Sequence, residues 1–404
     1  MKNTLWIGSA LALSLSWVTG CRSANPVPIE NDTQRIVEEP AESSAPLEPG
    51  PIKDALDWLS AHQNEDGHWD ADRFGDECAK ASKTTCANPG SVQHDVAATG
   101  LSLLAFLSAG QSEYSGDYRD QVSAALRWLR HQQDPQTGLI GERVSHDFLY
   151  GHAIATYALC EANNVVRGNP LIKRASNLGI RYIANARNPY GAWRYDVPPI
   201  GDNDTSVTGW MMLALKSAER GRLPVDQDAF KGALSWIDEV TDEQTGRVGY
   251  NEVGSTSARI VGLNEHFPPE SGEAMTAIGL SIRMSLGQME PEQYPLIAKG
   301  GELILRSLPT WEQQEFTSDM YYWYHATRAM NELGGTYAEK WNAAMLQATT
   351  QGQQTSGHAK GSWDPVGAWG SSGGRVYSTA LMTMCLSFQL EDPLAEALSG
   401  LGYL

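Results

Sequence analysis

A largely apolar, helix-like segment recurs six times in this chain. The clearest copies are Asp204–Ala218 and Asp95–Ala109, which share the acid, a Thr-Gly pair and the Ala/Ser-Ala end. Related copies follow at Phe148–Ala162, Gly272–Ile282, Asp319–Leu333 and Arg375–Gln389. Each reads as a helix that is apolar on more than one side, which suits a helix enclosed by others. A repeat of this length constrains the fold more than any single motif, because each unit buries its apolar face only by stacking on its neighbours.

A second helix precedes every copy: Ile52–Gln63, Gln121–Gln133, Leu171–Arg187, Ala229–Val240, Leu296–Leu308 and Tyr337–Gln351. In the first of these, Ala55, Leu56, Trp58 and Leu59 share a face and Lys53, Asp54 and Asp57 lie off it. One apolar stripe packs on one side, so this set is outer and the more apolar set is inner. The turn after the outer helix also recurs, as Gln63 to Gly67 and Trp69, Gln133 to Gly138 and Ile140, Asn188 to Gly191 and Trp193, Asp242 to Gly246 and Val248, and Gly361 to Trp363. Glycine supplies the left-handed backbone that ends a helix, and the residue two positions later pins the loop back. The fifth copy, near Trp311, has no glycine.

Lys53, Ala55, Trp58, Leu59, Gln63, Gly67 and Trp69 together resemble the QW motif of squalene–hopene and oxidosqualene cyclases, with a partial second match at Lys231, Gly232, Trp236, Ile237 and Gly246. The wider resemblance, over Ile52 to Leu390, is to the prenyltransferase and squalene-oxidase repeat. It implies an all-α (α/α)6 toroid of six inner and six outer helices, like those of terpenoid cyclases and protein prenyltransferases. A fold does not fix an activity. Class II cyclases protonate an alkene from an acid just ahead of a Thr-containing inner helix. The matching stretch here is Gly201 to Ser206, and the donor's place falls on Asn203. A shifted pair, Asp202 and Asp204, is the candidate catalytic set, since two close carboxylates hold one proton. Asp204 is equally a helix cap. Aromatics at Tyr150, Tyr157, Trp210 and Tyr321 to Tyr324 are candidates to hold a cationic or apolar ligand. One turn into the inner helices the aligned residues are Thr99, His152, Thr208, Thr276, Trp323 and Thr379. They form a polar layer, or bond back to their own helices.

Parallel inner helices bring their N-termini to one mouth. That end collects His94, Asp95, His146, Asp147 and His152, with Asp319, Tyr321, Tyr322 and Arg375 opposite. His/Asp clusters serve acid–base steps or cations, and acids at helix N-termini also answer the dipole. Arg375 beside two glycines could receive an anion. The insertion Val248–Ser271, with His266 and Pro268, is placed to cover the mouth. Cys160 and Cys385 read as core thiols. No Asp-Cys-His zinc set, Asp-rich metal motif or cofactor motif is legible, so no metal and no cofactor are expected.

Residues 1–20 carry Lys2 and an apolar core from Leu5 to Val18, too short for a comfortable span, and read as a signal peptide. Val18 to Cys21 resembles a bacterial lipobox, which implies a lipidated Cys21 and a membrane partner through that anchor. Arg22 after it favours the outer membrane over the inner, with the body facing the periplasm. Residues 21–51 read as an acidic disordered tether and 52–404 as the toroid. In an exported chain, Cys78 and Cys86 flanking a polar loop are expected to form a disulfide. The formal net charge of −18 argues against nucleic acid as a partner. The expected function is that of an exported lipoprotein binding a hydrophobic, lipid-like or other ligand at the mouth. The alternatives are an active squalene-type cyclase and a carbohydrate-active enzyme on the same ring.

Overall fold

A buried backbone N–H needs a partner, and the repeat turns show where each one finds it. The computed structural model describes residues 47–81, 85–189, 191–312, 316 and 318–388. The signal peptide, Cys21 and the tether up to residue 46 lie outside them. Thirteen α-helices are described: α1 Pro51–Ala61, α2 Gly75–Ala81, α3 Asp95–Ser108, α4 Arg119–His131, α5 Phe148–Val165, α6 Pro170–Ala186, α7 Thr205–Arg220, α8 Gln227–Val240, α9 Ala274–Ser285, α10 Pro295–Leu305, α11 Met320–Leu333, α12 Gly335–Gly352 and α13 Gly370–Ser387. Among the described residues the only extended pairings are isolated bridges within the repeat turns, such as Gln133 with Ile140 and Gln353 with Trp363.

The inner helices α3, α5, α7, α9, α11 and α13 pack each on the next, and α13 returns to α3, so the ring closes. The remaining helices, α2 excepted, form the outer layer. This is the α/α toroid that the repeats imply.

Three kinds of bond recur at the joints, all three together at the first and the last. Backbone N–H groups of Trp69, Trp193, Val248 and Trp363 donate to the hydroxyls of Thr99, Thr208, Thr276 and Thr379, at 3.0, 3.3, 3.2 and 3.3 Å. His152 takes the same role, its Nδ1 accepting from Ile140 N–H at 3.0 Å. The expected polar layer is therefore a set of pins between turn and inner helix. The turn tryptophans also donate their indole N–H back to the preceding outer helix, at 2.8 Å to the carbonyls of Leu59, Ile183 and Thr349. Finally, Gln63, Gln133 and Gln353 each donate to their own turn glycine and to a carbonyl of the next outer helix, those of Gln121, Ala175 and Pro51 at 2.8 to 3.0 Å. The last of these bonds links the final repeat to the first.

Glycine is required where the turn touches the next outer helix. Gly361 has φ +90°, and a Cβ there would sit 2.0 Å from the Asp54 carbonyl oxygen on α1. The fifth joint is built in reverse: the Trp311 ring occupies the turn's place, and the glycine is Gly352 on α12, where a Cβ would meet that ring at 2.4 Å. Trp311 lies against Trp323, which replaces the pin, with ring centroids 6.4 Å apart.

Replacing Thr99 by Val is expected to lower stability by about 1–3 kcal/mol, since it leaves a buried N–H unpaired. Thr383→Val, which removes only a hydroxyl donating to its own helix, is expected to lower it by less than half as much. Equal losses on urea unfolding would remove the pin from the account.

Candidate binding cavity at the inner-helix mouth

The first turns of all six inner helices enclose a cavity of about 210 Å³. Ala97, Tyr150, Ser206, Met275, Tyr321 and Tyr377 represent the six helices on its wall. Tyr195 and Tyr250 enter from the repeat turns, and Ser257, Ala258 and Ile260 from the long insertion. Five tyrosines, Trp210 and Trp369 make the wall predominantly aromatic. Trp210 is braced by a stack on Tyr324, with centroids 5.5 Å apart and planes 12° apart.

The hydroxyls are organised. Tyr150 donates to Ser206 Oγ at 2.8 Å, and Ser206 and Tyr321 share a bond of 2.7 Å. Tyr195 and Tyr250 share another at 2.6 Å. Burial, followed by the nearby Asp204 charge, pushes the Tyr150 and Tyr250 phenols above their usual range, so they stay neutral donors. The same wall carries a polar edge. His94 Nε2 is 3.8 Å from Asp147 Oδ2, and Ser145 donates to the other carboxylate oxygen. Burial lowers the His94 pKa against the pull of Asp147, which favours the neutral ring. His146 stands edge-on to Tyr195, centroids 5.1 Å apart. Among the described lining residues Asp147 is the sole carboxylate.

Of the mouth residues that the sequence singles out, His94, His146, Asp147 and Tyr321 line the cavity and the others face elsewhere. His152 is fully buried as a pin, with its Nε2 3.2 Å from the Gly179 carbonyl. Asp95 accepts from Ala71 N–H at 2.9 Å and stands within 4.8 Å of ligating atoms on His68 and Asp70. Tyr322 donates to the carbonyls of Ile304 and Ser307, while its neighbour Tyr321 faces the cavity. Arg375 is buried, donating to Ser362 Oγ at 2.8 Å, to Asp364 and to the Ala87 carbonyl at 3.2 Å. Asp319 caps α11 through Tyr322 N–H and lies 3.5 Å from Arg259. That ion pair fastens the insertion over the mouth, and burial raises the Asp319 pKa.

The Asp202 and Asp204 carboxylates are separated by a guanidinium. Arg194 Nη1 is 3.6 Å from Asp202, which is exposed, and its Nε is 4.0 Å from Asp204. Asn203 accepts from Asn188 and from Ala192 N–H, both at 2.9 Å, and so belongs to the turn. Asp204 itself is fully buried; its Oδ1 accepts from Val207 N–H at 2.7 Å and its Oδ2 has no partner. Burial pushes its pKa up to about 7. Cys78 and Cys86 are both thiols here, and the Cys78 sulfur faces His62 Nε2 at 2.8 Å.

Tyr195 and Tyr250 escape a search for clusters, yet both sit two residues beyond the turn's pinned position, after Trp193 and Val248. Aligning the turns as well as the helices finds them. Trp369 has no comparable signal.

Asp204 binds its proton more tightly in the folded chain, at about 7 against an ordinary 3.8. Its contribution is therefore fully present below about pH 4 and is lost as pH rises through 7. Asp204→Asn keeps a cap and removes the titration. Its stability relative to the parent, by urea unfolding, is expected to rise by about 2–4 kcal/mol between pH 4 and pH 8. A difference that does not change with pH would mean that this carboxyl is not held neutral.

No protein-family model and no curated sequence matches the chain. Several solved structures do match, among them an α-amylase from Clostridium perfringens, with a TM-score of 0.53 at 13% identity, covering 85% of this chain and 99% of that one. Cellobiose 2-epimerase from Bacillus thermoamylovorans matches with a TM-score of 0.55 at 14% identity, over 84% and 98% of the two chains. A type II terpene cyclase from Scytonema, solved with geranylgeranyl dihydroxybenzoate, matches with a TM-score of 0.51 at 11% identity, over 84% and 96%. The chain thus shares the α/α toroid of terpene cyclases and of carbohydrate-active enzymes, and the squalene-cyclase resemblance narrows to that fold.

Proposed function

We propose that the mouth cavity binds a compact, largely apolar ligand carrying one hydrogen-bonding group, and that the chain does not cyclise terpenes. The observation that supports this most is the wall itself. Seven aromatic rings offer apolar area and neutral hydroxyls, while His94 and Asp147 form one polar edge. An enclosed apolar site with few placed polar groups is the usual form of a small-molecule pocket. Cleavage of a glycoside by two facing acids lacks its second carboxylate on this wall. Cyclase chemistry draws on one feature, the buried acid Asp204, which sits outside the lining.

We also propose that Cys21 carries lipid and tethers the toroid to the periplasmic face of a membrane, the outer one before the inner, through an acidic linker. The apolar run before the lipobox-like Val18 to Cys21 supports this. Cys21→Ser is expected to move the protein from the membrane to the soluble fraction when cells are fractionated. Unchanged membrane retention would end the anchor proposal.

Farnesol, squalene and cellobiose serve as probes of the cavity, titrated against the mature chain and read by tryptophan fluorescence. Saturable farnesol binding is expected, weakened about tenfold or more (~1.4 kcal/mol) by Ala97→Phe, which fills the cavity. Cellobiose binding alone, lost in the same variant, would replace the apolar ligand by a carbohydrate. Cyclic products from squalene, read by mass spectrometry, would overturn the non-cyclase part.

A further inference from the structure

A second site lies away from the cavity, where the end of α1 meets the loop that carries α2. His62 caps α1, Cys78 lies on α2 and Cys86 lies in the segment leading to α3. His62 Nε2 and the two sulfurs all lie within 4.8 Å of one another. His62 and Cys78 are buried and Cys86 is half-buried. We propose that His62, Cys78 and Cys86 bind a thiophilic cation, with Zn2+ as the type.

The first argument is the histidine's orientation. Its Nδ1 lies 2.6 Å from the Trp58 carbonyl, which can only accept, so Nδ1 carries the proton. Nε2 therefore presents its lone pair towards the sulfurs. A ring nitrogen held by a backbone carbonyl, with the other free to ligate, is the arrangement that orients metal-binding histidines. The ring is also clamped, stacked on Trp58 at 4.0 Å and bordered by Phe74 at 5.9 Å.

The second argument is that the backbone around the sulfurs is fixed by other means. Gly75, at the start of α2, lets the Cys86 carbonyl pass, since a Cβ there would lie 3.0 Å from that oxygen. Beyond Cys86, the Ala87 and Asn88 carbonyls are held by the Arg375 side chain and backbone, at 3.2 and 3.1 Å. Two sulfurs and one imidazole nitrogen are a soft donor set that selects Zn2+ or Cu+ over Mg2+ or Ca2+. Tetrahedral Zn2+, with bonds of about 2.3 Å to sulfur and 2.0–2.1 Å to nitrogen, needs donors about 3.5–3.8 Å apart. The His62–Cys78 contact would open by under 1 Å, and a fourth position would remain for water. Both cysteines enter as thiols, so the ion displaces one proton from each while the histidine contributes its existing lone pair. Since Ala87 and Asn88 are bound to α13, the ion would brace the seam where the last inner helix meets the first repeat.

The mature chain, purified with reductant and chelator and then freed of both, is titrated with Co2+ and competed with Zn2+. The expected result is one ion per chain, a thiolate-to-cobalt absorption band, displacement by zinc, and about two protons released. Both sulfurs should become protected from alkylation. Cys86→Ser, whose side chain is only half-buried, should lose the band while circular dichroism stays helical, and His62→Gln should weaken binding. A Cys78–Cys86 disulfide in protein isolated without reductant, no binding by the folded reduced chain, or an unchanged band in Cys86→Ser would each overturn the site.

Discussion

The bond from a repeat turn's backbone N–H to a side chain one turn into the inner helix sets the rotation of α3, α5, α7 and α13, while on α9, pinned at Thr276, Met275 one residue earlier lines the cavity. With about 100° per residue, a residue two positions from the pin points about 200° away, across the helix axis. Thr99, His152, Thr208, Trp323 and Thr379 face their turns in the outer layer. Ala97, Tyr150, Ser206, Tyr321 and Tyr377, two residues earlier, consequently face the centre, and all of them line the cavity. Leu101, Ile154 and Trp210, two residues later, line it one level deeper. The pins are thus more than local stabilisation: they decide which face of each helix the ring presents to a ligand. Each buried N–H that found no acceptor would weigh against this arrangement, which is why the position takes Thr or His and, in one repeat, a ring against a ring.

The same geometry explains how much of the site was legible. The helix pairs, their order and the closing of the ring follow from the repeat, because periodicity reports which faces are buried. The mouth residues chosen by their place at the helix N-termini were a poorer guide. Asp95, Asp204, Asp319 and Arg375 all stand four residues before a pin. Four residues is about 400°, so they lie within about 40° of the pin's face and turn towards the loops, not the centre. The structure finds Asp204 and Asp319 capping their helices, Asp95 bound to the Ala71 backbone and Arg375 bound at the seam. His94, His146 and Asp147 reach the cavity because they precede the regular part of their helices. The insertion Val248–Ser271, expected over the mouth, does line it through Ser257, Ala258 and Ile260, and the distant ion pair of Arg259 with Asp319 holds it there.

Burial of carboxyls at this end of the ring has an electrostatic consequence. The chain carries a formal charge of −18, yet Asp204 and Asp319 lie beneath the mouth with little or no solvent. Two guanidiniums answer them from a distance, Arg194 at 4.0 Å and Arg259 at 3.5 Å. Neither contact is a close bidentate pair, so desolvation dominates and raises both carboxyls, Asp204 to about 7. Burial, and then the Asp204 charge, raise the tyrosine hydroxyls next to it and keep them protonated. Those hydroxyls then pair with one another and with Ser206.

The ring is shared with proteins described as an amylase, an epimerase and a terpene cyclase. Chemistry on such a scaffold must therefore reside in the inward-facing positions and in the loops over them, because the pins and turn glycines are committed to closure. In this chain the inward positions are Ala, Ser and Tyr, and the loops add Tyr195, Tyr250, His94, His146 and Asp147. Such a set offers apolar rings and neutral hydroxyls, and its single acid is paired with a histidine. A reaction that needs two opposed carboxylates would require an inward acid at one of the positions two residues from a pin. Among those that line the cavity this sequence places Ala, Ser, Tyr, Leu, Ile and Trp.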